Sequence, residues 1–285
     1  MDRLTVFKYE GSGNDFLVVP DAGSTKPFDD PALVRALCDR HRGIGADGVL
    51  RISRAPLGGG IRMELRNADG GLAETSGNGM RCAALAAIDL GLIGTKDLSN
   101  LTLDVMTDAG ISHAAFSHAP AGGSVEISVS MGIVHVEPCP SPLVGLEAFR
   151  GDVGNPWLVF LDKDAVGVDI ADVGPTYEVA VKGGQNVCVV APSGAPDELD
   201  MDVWERGVGL TQACGTGSCA GAAAAHLAGI VGENVVVHNP GGALIVSLSG
   251  QDANAPFVEL LGPTRRVARI DVELDGFFSS RSGGA

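Results

Sequence analysis

Short runs in which apolar and polar residues alternate recur along the chain and predict β-strands. Such runs begin at Leu4, Leu101, Val125 and Val187, and the alternation gives each strand one buried face. Two further runs, at residues 235–238 and 243–248, are joined through Asn-Pro-Gly-Gly, which is typical of a hairpin around a glycine turn.

Three segments have the pattern of helices. The first, residues 30–41, offers Asp30 as N-cap, a proline at the first helical position and apolar residues at helical spacing. The other two run from about Gly77 to Leu90 and from about Gly215 to Ala228 and are rich in alanine. Their small, apolar faces suit a helix enclosed by a curved sheet, although a plain core helix would have the same composition.

The two alanine-rich helices follow two similar glycine-rich loops. One loop reads TSGNGMRC at 75–82 and the other TQACGTGSC at 211–219; we call them the Ser76 loop and the Cys214 loop. Their separation is close to half of the chain, which predicts two related halves facing each other across a cleft. The main difference between the copies is Ser76 in the place of a cysteine.

Composition narrows the function classes. A length of 285 residues, 45% hydrophobic and 19% charged, suits two ordinary lobes of a globular protein. The net charge of −15 opposes binding to nucleic acid or an anionic membrane. The first ten residues lack the apolar core of a signal peptide, so we expect a cytoplasmic protein. Six scattered cysteines without a CxxC pair and six isolated histidines predict neither disulfides nor a metal site.

Cys214 is the first candidate for chemistry. A cysteine at the first turn of a helix can have its pKa lowered to about 3.5–7.5 by the dipole and the unpaired amides, which makes a base or nucleophile. The amides at Gly215 and Thr216 are expected to hold a substrate carboxylate, and Gly77 and Asn78 offer the same cradle in the other copy. A lone cysteine is usually a packing residue, but the duplicated glycine-rich loop favours catalysis for Cys214.

Other polar residues stand in loops bordered by glycine. Four asparagines can bind a polar substrate, and each by itself also suits a turn: Asn14, Asn67, Asn155 and Asn186. Glu205 offers a carboxylate to an ammonium group, and Arg206 offers a guanidinium to a carboxylate. A surface ion pair is the alternative interpretation of these two.

Taken in order, the segments resemble those of the diaminopimelate epimerase family over nearly the whole chain. They are GSGNDF, RHRGIGADG, RNADG, SGNGMRC, GNP, GGQN, WERGVGLTQACGTGSCA and NPGGAL. The resemblance implies an enzyme that interconverts LL- and meso-diaminopimelate, an amino acid used for lysine and peptidoglycan precursors, without any cofactor. It also implies a cytoplasmic protein that acts on a small molecule and is often a homodimer.

The resemblance further implies an α+β fold of two pseudo-symmetric lobes, each a curved, mostly antiparallel, barrel-like sheet around a central helix. The lobes would comprise 1–119 plus 263–285 and 120–262, with the active site in the cleft between them. By position, Cys214 and Ser76 would be the two acid/base groups. The matching substrate-binding residues are Asn14, Asn67, Gly77, Asn78, Asn155, Asn186, Glu205, Arg206, Gly215 and Thr216.

Two residues depart from the family pattern. Ser76 stands where the family has its first catalytic cysteine, and Trp157 stands where a histidine usually follows Gly-Asn-Pro. Serine is a far weaker acid than cysteine, so a helix terminus alone does not make it a base near neutral pH. Three interpretations remain open: an epimerase with a weak or substituted second base, a single-cysteine lyase or isomerase of the same fold, and a binder of diaminopimelate that no longer turns it over.

Overall fold

The computed structural model describes residues 3–20, 26–56, 59–95, 97–98, 100–117, 123–164 and 166–274. Its helices are α1 Lys26–Asp29, α2 Pro31–Cys38, α3 Gly77–Asp89, α4 Ile170–Glu178 and α5 Gly215–Leu227. Its strands are β1 Arg3–Gly11, β2 Asn14–Pro20, β3 Gly48–Arg54, β4 Ile61–Asn67, β5 Leu72–Ala73, β6 Thr102–Thr107, β7 Gly110–Phe116, β8 Val125–Ile133, β9 His135–Cys139, β10 Glu147–Asp152, β11 Pro156–Leu161, β12 Asn186–Pro192, β13 Glu198–Glu205, β14 Gly209–Leu210, β15 Asn234–Asn239, β16 Gly242–Ser249 and β17 Phe257–Glu273.

The chain divides into two compact units. Unit 1 comprises Met1–Gly11, Asp15–Glu126 and Thr264–Ala285, and unit 2 comprises Ser12–Asn14 and Ile127–Pro263. The predicted lobe boundary at 119/120 lies outside the described residues. Strand β17 passes from unit 2 to unit 1 between Pro263 and Thr264.

The strand pairing of unit 1 mixes two parallel contacts into an antiparallel sheet. Strand β2 runs parallel to β3, and β4 runs parallel to β6. The pairs β3/β4, β4/β5 and β6/β7 are antiparallel. The second part of β17 pairs antiparallel with β1.

Unit 2 repeats this pairing strand for strand. Strand β11 runs parallel to β12, and β13 runs parallel to β15. The pairs β12/β13, β13/β14 and β15/β16 are antiparallel. A helix follows the short strand in both units, α3 after β5 and α5 after β14. The duplication expected from the two loops therefore extends through the whole β-sheet pattern of each unit.

Each unit encloses its own alanine-rich helix. Residues Gly77–Ala87 of α3 and Gly215–Ala225 of α5 are buried on every side. Helix α3 contacts β1, β3, β4, β6 and β7, and α5 contacts β9 to β13, β15 and β16. A helix that is apolar all round can only be stable in a core, and its small side chains allow the strands to approach. The predicted central helices are therefore confirmed, and the fold is α+β with barrel-like sheets.

The local predictions agree with the structure in part: helix α2 ends at Cys38, short of the predicted residue 41, and helices α1 and α4 were not predicted. Helix α2 begins after Asp30, whose carboxylate accepts a hydrogen bond of 2.8 Å from the Ala32 N–H. The apolar runs at Leu4, Leu101, Val125 and Val187 lie within or at the edge of β1, β6, β8 and β12, and the predicted hairpin is β15/β16. Within the described residues, no helix is long and apolar enough to cross a membrane.

Candidate active site

The Ser76 and Cys214 loops have the same backbone conformation at their key residue. Ser76 is the N-cap of α3 with φ −155° and ψ 120°, and Cys214 is the N-cap of α5 with φ −129° and ψ 116°. Each helix starts at the next glycine and has 13 residues. Both side chains therefore leave an extended residue just ahead of a helix N-terminus, where unpaired amides favour anionic groups.

The Ser76 side chain serves its helix. Its Oγ accepts a hydrogen bond of 3.1 Å from the Gly79 N–H, which is the usual N-cap contact. Next to it, Asn78 is buried, and its Oδ1 accepts a hydrogen bond of 2.8 Å from the fully buried Arg81 guanidinium. The Asn78 side chain is thus engaged in the interior of the fold by Arg81.

The Cys214 side chain makes no capping hydrogen bond. Its Sγ lies 3.4 Å from Thr216 Oγ1, and the Glu205 carboxylate is near enough to influence its titration. Glu205 Oε1 accepts a hydrogen bond of 2.6 Å from Thr211 Oγ1, which holds the carboxylate.

The prediction that Cys214 has a lowered pKa is wrong. Burial raises the pKa of the thiol well above its ordinary value, and the negative charge of Glu205 raises it further. The Thr216 hydroxyl and the Gly217 N–H lower the pKa but do not outweigh these effects. Cys214 is therefore a protonated thiol at neutral pH, with a carboxylate beside it.

An asparagine that the sequence analysis did not single out fixes the backbone of the Cys214 loop. Asn239 Oδ1 accepts a hydrogen bond of 3.3 Å from the Cys214 N–H, and its Nδ2 donates to Ser218 Oγ at 3.2 Å. Ser218 Oγ in turn donates to the Cys214 carbonyl at 2.9 Å. Asn239 belongs to the NPGGAL segment, which is both the predicted hairpin turn and one of the segments that resemble the family.

The residues expected to grip the substrate in unit 2 form a connected network. Asn186 Nδ2 donates to the Pro156 carbonyl at 3.0 Å, and Asn186 Oδ1 accepts from the Arg206 N–H at 2.9 Å. The Arg206 guanidinium donates to the carbonyls of Gly183 and Gly184 at 3.0 and 3.3 Å. These hydrogen bonds hold Arg206 against the Gly-Gly-Gln-Asn loop. The neighbouring Glu205 lies beside Cys214.

Trp157 lies next to that network, opposite Asn186 on the neighbouring strand. It is 1% exposed, and its Nε1 donates a hydrogen bond of 2.9 Å to Asn155 Oδ1. Its ring covers the first turn of α5, where a methyl group at Gly217 would lie 2.8 Å from Trp157 Cη2. The position that departs from the family pattern is therefore a buried packing residue beside the Cys214 loop.

Asn14 and Asn67 belong to different units. Ser12, Gly13 and Asn14 group with unit 2, and a methyl group at Gly13 would lie 3.2 Å from both Gln212 Cβ and Gly241 Cα. Asn67 ends β4 in unit 1, where its N–H donates to the Gly71 carbonyl at 2.9 Å in a turn. Unit 1 thus holds Asn67, Ser76, Gly77 and Asn78, and unit 2 holds Asn14, Asn155, Asn186, Glu205, Arg206, Cys214, Gly215 and Thr216.

A cluster of charges that the sequence analysis missed follows Asn14. Asp15 Oδ2 lies 2.6 Å from Lys8 Nζ, and its Oδ1 lies 2.7 Å from Arg40 Nη2, which also contacts Asp47 Oδ1 at 2.6 Å. Burial alone would raise the pKa of Asp15, but the hydrogen bonds and charges of Arg40 and Lys8 hold it below its usual range. The cluster fixes the start of β2. Among the described residues, no group of three or more His, Cys, Asp or Glu side chains is arranged to hold a metal ion.

Comparison with known proteins decides the family. A family model described as diaminopimelate epimerase matches residues 6–136 and 149–267. The chain belongs to the diaminopimelate epimerase family. The diaminopimelate epimerase of Moorella thermoacetica is 36% identical over 94% of this chain and 99% of its own length, and that of Synechocystis sp. is 34% identical over 95% and 99%. The predicted family and enzyme class, an isomerase, are confirmed.

Solved structures of lower identity share the fold. A PhzF-family phenazine biosynthesis protein from Bacillus anthracis has a TM-score of 0.72 at 16% identity, covering 96% of this chain and 100% of its own. A hydroxyproline epimerase from Agrobacterium vitis, with bound trans-4-OH-L-proline, has a TM-score of 0.72 at 16% identity, covering 97% and 93%. At this identity the likeness concerns the fold alone.

This chain combines a thiol in unit 2 with a hydroxyl at the matching position of unit 1. Cys214 keeps a carboxylate, a hydroxyl and helix amides around it. The Ser76 oxygen instead accepts a hydrogen bond from the first turn of its helix. The chemistry of the two loops differs although their backbones agree.

Proposed function

We propose that this chain acts on the α-carbon of diaminopimelate, with Cys214 as the principal acid/base group and Ser76 as the weaker partner. The observation that carries the proposal is the Cys214 thiol, buried at a helix N-terminus with the Glu205 carboxylate beside it. A base that removes an α-proton and amides that stabilise the resulting negative charge are the two things such a reaction needs.

The proposed steps are as follows. Glu205 accepts the thiol proton, and the thiolate removes the α-proton while the electron pair moves into the substrate carboxylate. The amides of Gly215 and Thr216 stabilise that charge, as do Gly77 and Asn78 in the other loop. Return of the proton from Cys214 gives exchange, and delivery of a proton to the opposite face from Ser76 gives the epimer.

Ser76 makes the second step slow. Its Oγ already accepts the Gly79 N–H, so the hydroxyl is oriented as a donor. Donation leaves an alkoxide, which is a far less favourable product than a thiolate. We therefore expect α-proton exchange at the Cys214 face to be faster than epimerisation.

Incubation with LL- or meso-diaminopimelate in deuterated water tests the proposal. The expected result is α-deuterium incorporation with slower formation of the other isomer, both lost in C214A. Exchange, or a new product, without interconversion of the isomers would instead assign single-cysteine chemistry. A rise in melting temperature with neither reaction would assign a binder.

The remaining parts of the proposal come from the family resemblance. We expect Asn14, Asn67, Asn155, Asn186 and Arg206 to bind the distal amino-acid end of the substrate, and no cofactor to be required. The resemblance also assigns Glu205 to that end, but its place beside Cys214 favours the role of proton acceptor for the thiol. We also expect a cytoplasmic enzyme that forms a homodimer. Size-exclusion chromatography with light scattering measures the mass of the particle and so tests whether it is a dimer.

A further inference from the structure

The indole of Trp157 determines the orientation of the Asn155 side-chain amide. An indole N–H only donates hydrogen bonds, so the amide atom 2.9 Å from Trp157 Nε1 must be the oxygen. Asn155 Nδ2 consequently points away from the indole. In the part of the chain that the structure describes, no protein acceptor receives a hydrogen bond from Asn155 Nδ2.

The residues of the two neighbouring strands surround Trp157. Trp157 lies opposite Gly151 on β10 and Asn186 on β12. A methyl group at Gly151 would lie 3.4 Å from Trp157 Cβ, and one at Gly217 would lie 2.8 and 3.1 Å from Trp157 Cη2 and Cζ3. The Trp157 ring is 1% exposed and packs against both glycines, so the buried indole presents its N–H to Asn155 from a defined position.

An amide whose oxygen faces the indole turns its two N–H groups the other way. Those two donors match a carboxylate oxygen. Asn155 is half-buried at the loop that starts β11. There the donor pair is available to a small charged ligand.

From this geometry we propose that Trp157 is a positioning residue that holds the Asn155 amide with its N–H groups turned away from the indole, where they bind a carboxylate of the substrate. The inference rests on the proposed function for the identity of the ligand, an α-amino dicarboxylate. The orientation of Asn155 does not depend on that function. The two parts can therefore be tested separately.

The first test uses the indole hydrogen bond without any ligand. The chain has two tryptophans, and the other indole, Trp204, donates to Glu178 Oε2 at 2.7 Å. In ¹⁵N-labelled protein the two indole N–H resonances are assigned with W157F and W204F. We expect N155A to shift the Trp157 resonance and leave that of Trp204 in place. An unmoved Trp157 resonance would overturn the positioning role.

The second test uses binding of diaminopimelate, measured by calorimetry. W157F keeps an aromatic ring but loses the donor, and we expect it to weaken binding about fivefold, or about 1 kcal/mol. N155A removes the amide and is expected to weaken binding at least as much. The double variant W157F/N155A should bind no more weakly than N155A alone, because Trp157 acts through Asn155.

W204F is the matched control, since it removes an indole hydrogen bond of the same kind from the same unit. We expect it to leave the affinity unchanged. Additive losses in the W157F/N155A double variant would overturn the inference. If the unaltered protein bound no diaminopimelate, the proposed function and the carboxylate part would both fail, while the indole resonance would still decide the orientation of Asn155.

Discussion

Replacement of Ser76 by cysteine should lower stability and raise activity at the same time. Ser76 Oγ accepts the Gly79 N–H at 3.1 Å, and sulfur is a weaker acceptor at that position. Loss of an N-cap costs about 1 kcal/mol. With an unfolding entropy of about 2.1 cal/mol/K per residue, a chain of 285 residues should lose about 2 °C of melting temperature.

The same substitution supplies the missing acid/base group. A free cysteine has a pKa of about 8.5, whereas a serine hydroxyl stays protonated throughout the usual range. Since a positioned acid or base is worth about 10²-fold to 10⁴-fold in rate, S76C should speed the formation of meso-diaminopimelate at least about 100-fold. Exchange at the Cys214 face should change little.

Calorimetric melting and isotope exchange followed by NMR measure both effects in one set of samples. S76A is the control that loses the cap without gaining a thiol, so it should melt lower and gain no activity. C214S is the mirror variant: it places a hydroxyl at an N-cap that has no capping hydrogen bond, and it should lose activity without melting lower. If S76A melted at the temperature of the unaltered protein, or S76C formed no more meso product, the reasoning would be refuted.

Three further predictions concern the neighbouring contacts. D15N should lower the free energy of unfolding by about 3 kcal/mol at pH 7, which is the low end for a broken buried ion pair because Arg40 is half exposed. Since the pKa of Asp15 is lowered in the fold, denaturant titrations should show this difference between D15N and the unaltered protein shrinking as the pH falls below about 4. G217A should cost about 1–3 kcal/mol, because its methyl group meets Trp157 Cη2, and a W157F background, which lacks that atom, should reduce the cost in the same titrations. Alkylation of Cys214 by iodoacetamide, followed by mass spectrometry, should be slow at pH 7 and accelerate beyond pH 9, since only the thiolate reacts and its pKa is raised; a rate independent of pH would contradict this.

Local signals explain what the sequence could predict. Asp30 before Pro31 is a start signal that needs no tertiary contact, and helix α2 begins where it indicates. The two glycine-rich loops likewise mark the starts of α3 and α5. The alternating runs show which residues of a strand face the core, but they carry no information on which strand lies next to which.

Tertiary contacts explain what the sequence could not predict. The pKa of Cys214 depends on burial and on Glu205, which the fold places beside it from another strand. The helix terminus, the one influence visible in the sequence, acts in the opposite direction and is outweighed. Likewise, Asp15 meets Lys8 and Arg40 only once β1, β2 and the segment after α2 are packed.

The two N-caps show why one backbone design can serve two different purposes. A helix start needs an oxygen acceptor, and Ser76 supplies one to Gly79. A proton-transfer group must instead keep its reactive atom available, and Cys214, which makes no capping hydrogen bond of ordinary geometry, has the Glu205 carboxylate beside its thiol. A thiol at position 76 would give unit 1 an acid/base group but would remove the hydrogen bond that caps α3. The serine therefore stabilises the fold at the position where the family resemblance expects catalysis, and stability and turnover should change in opposite directions there.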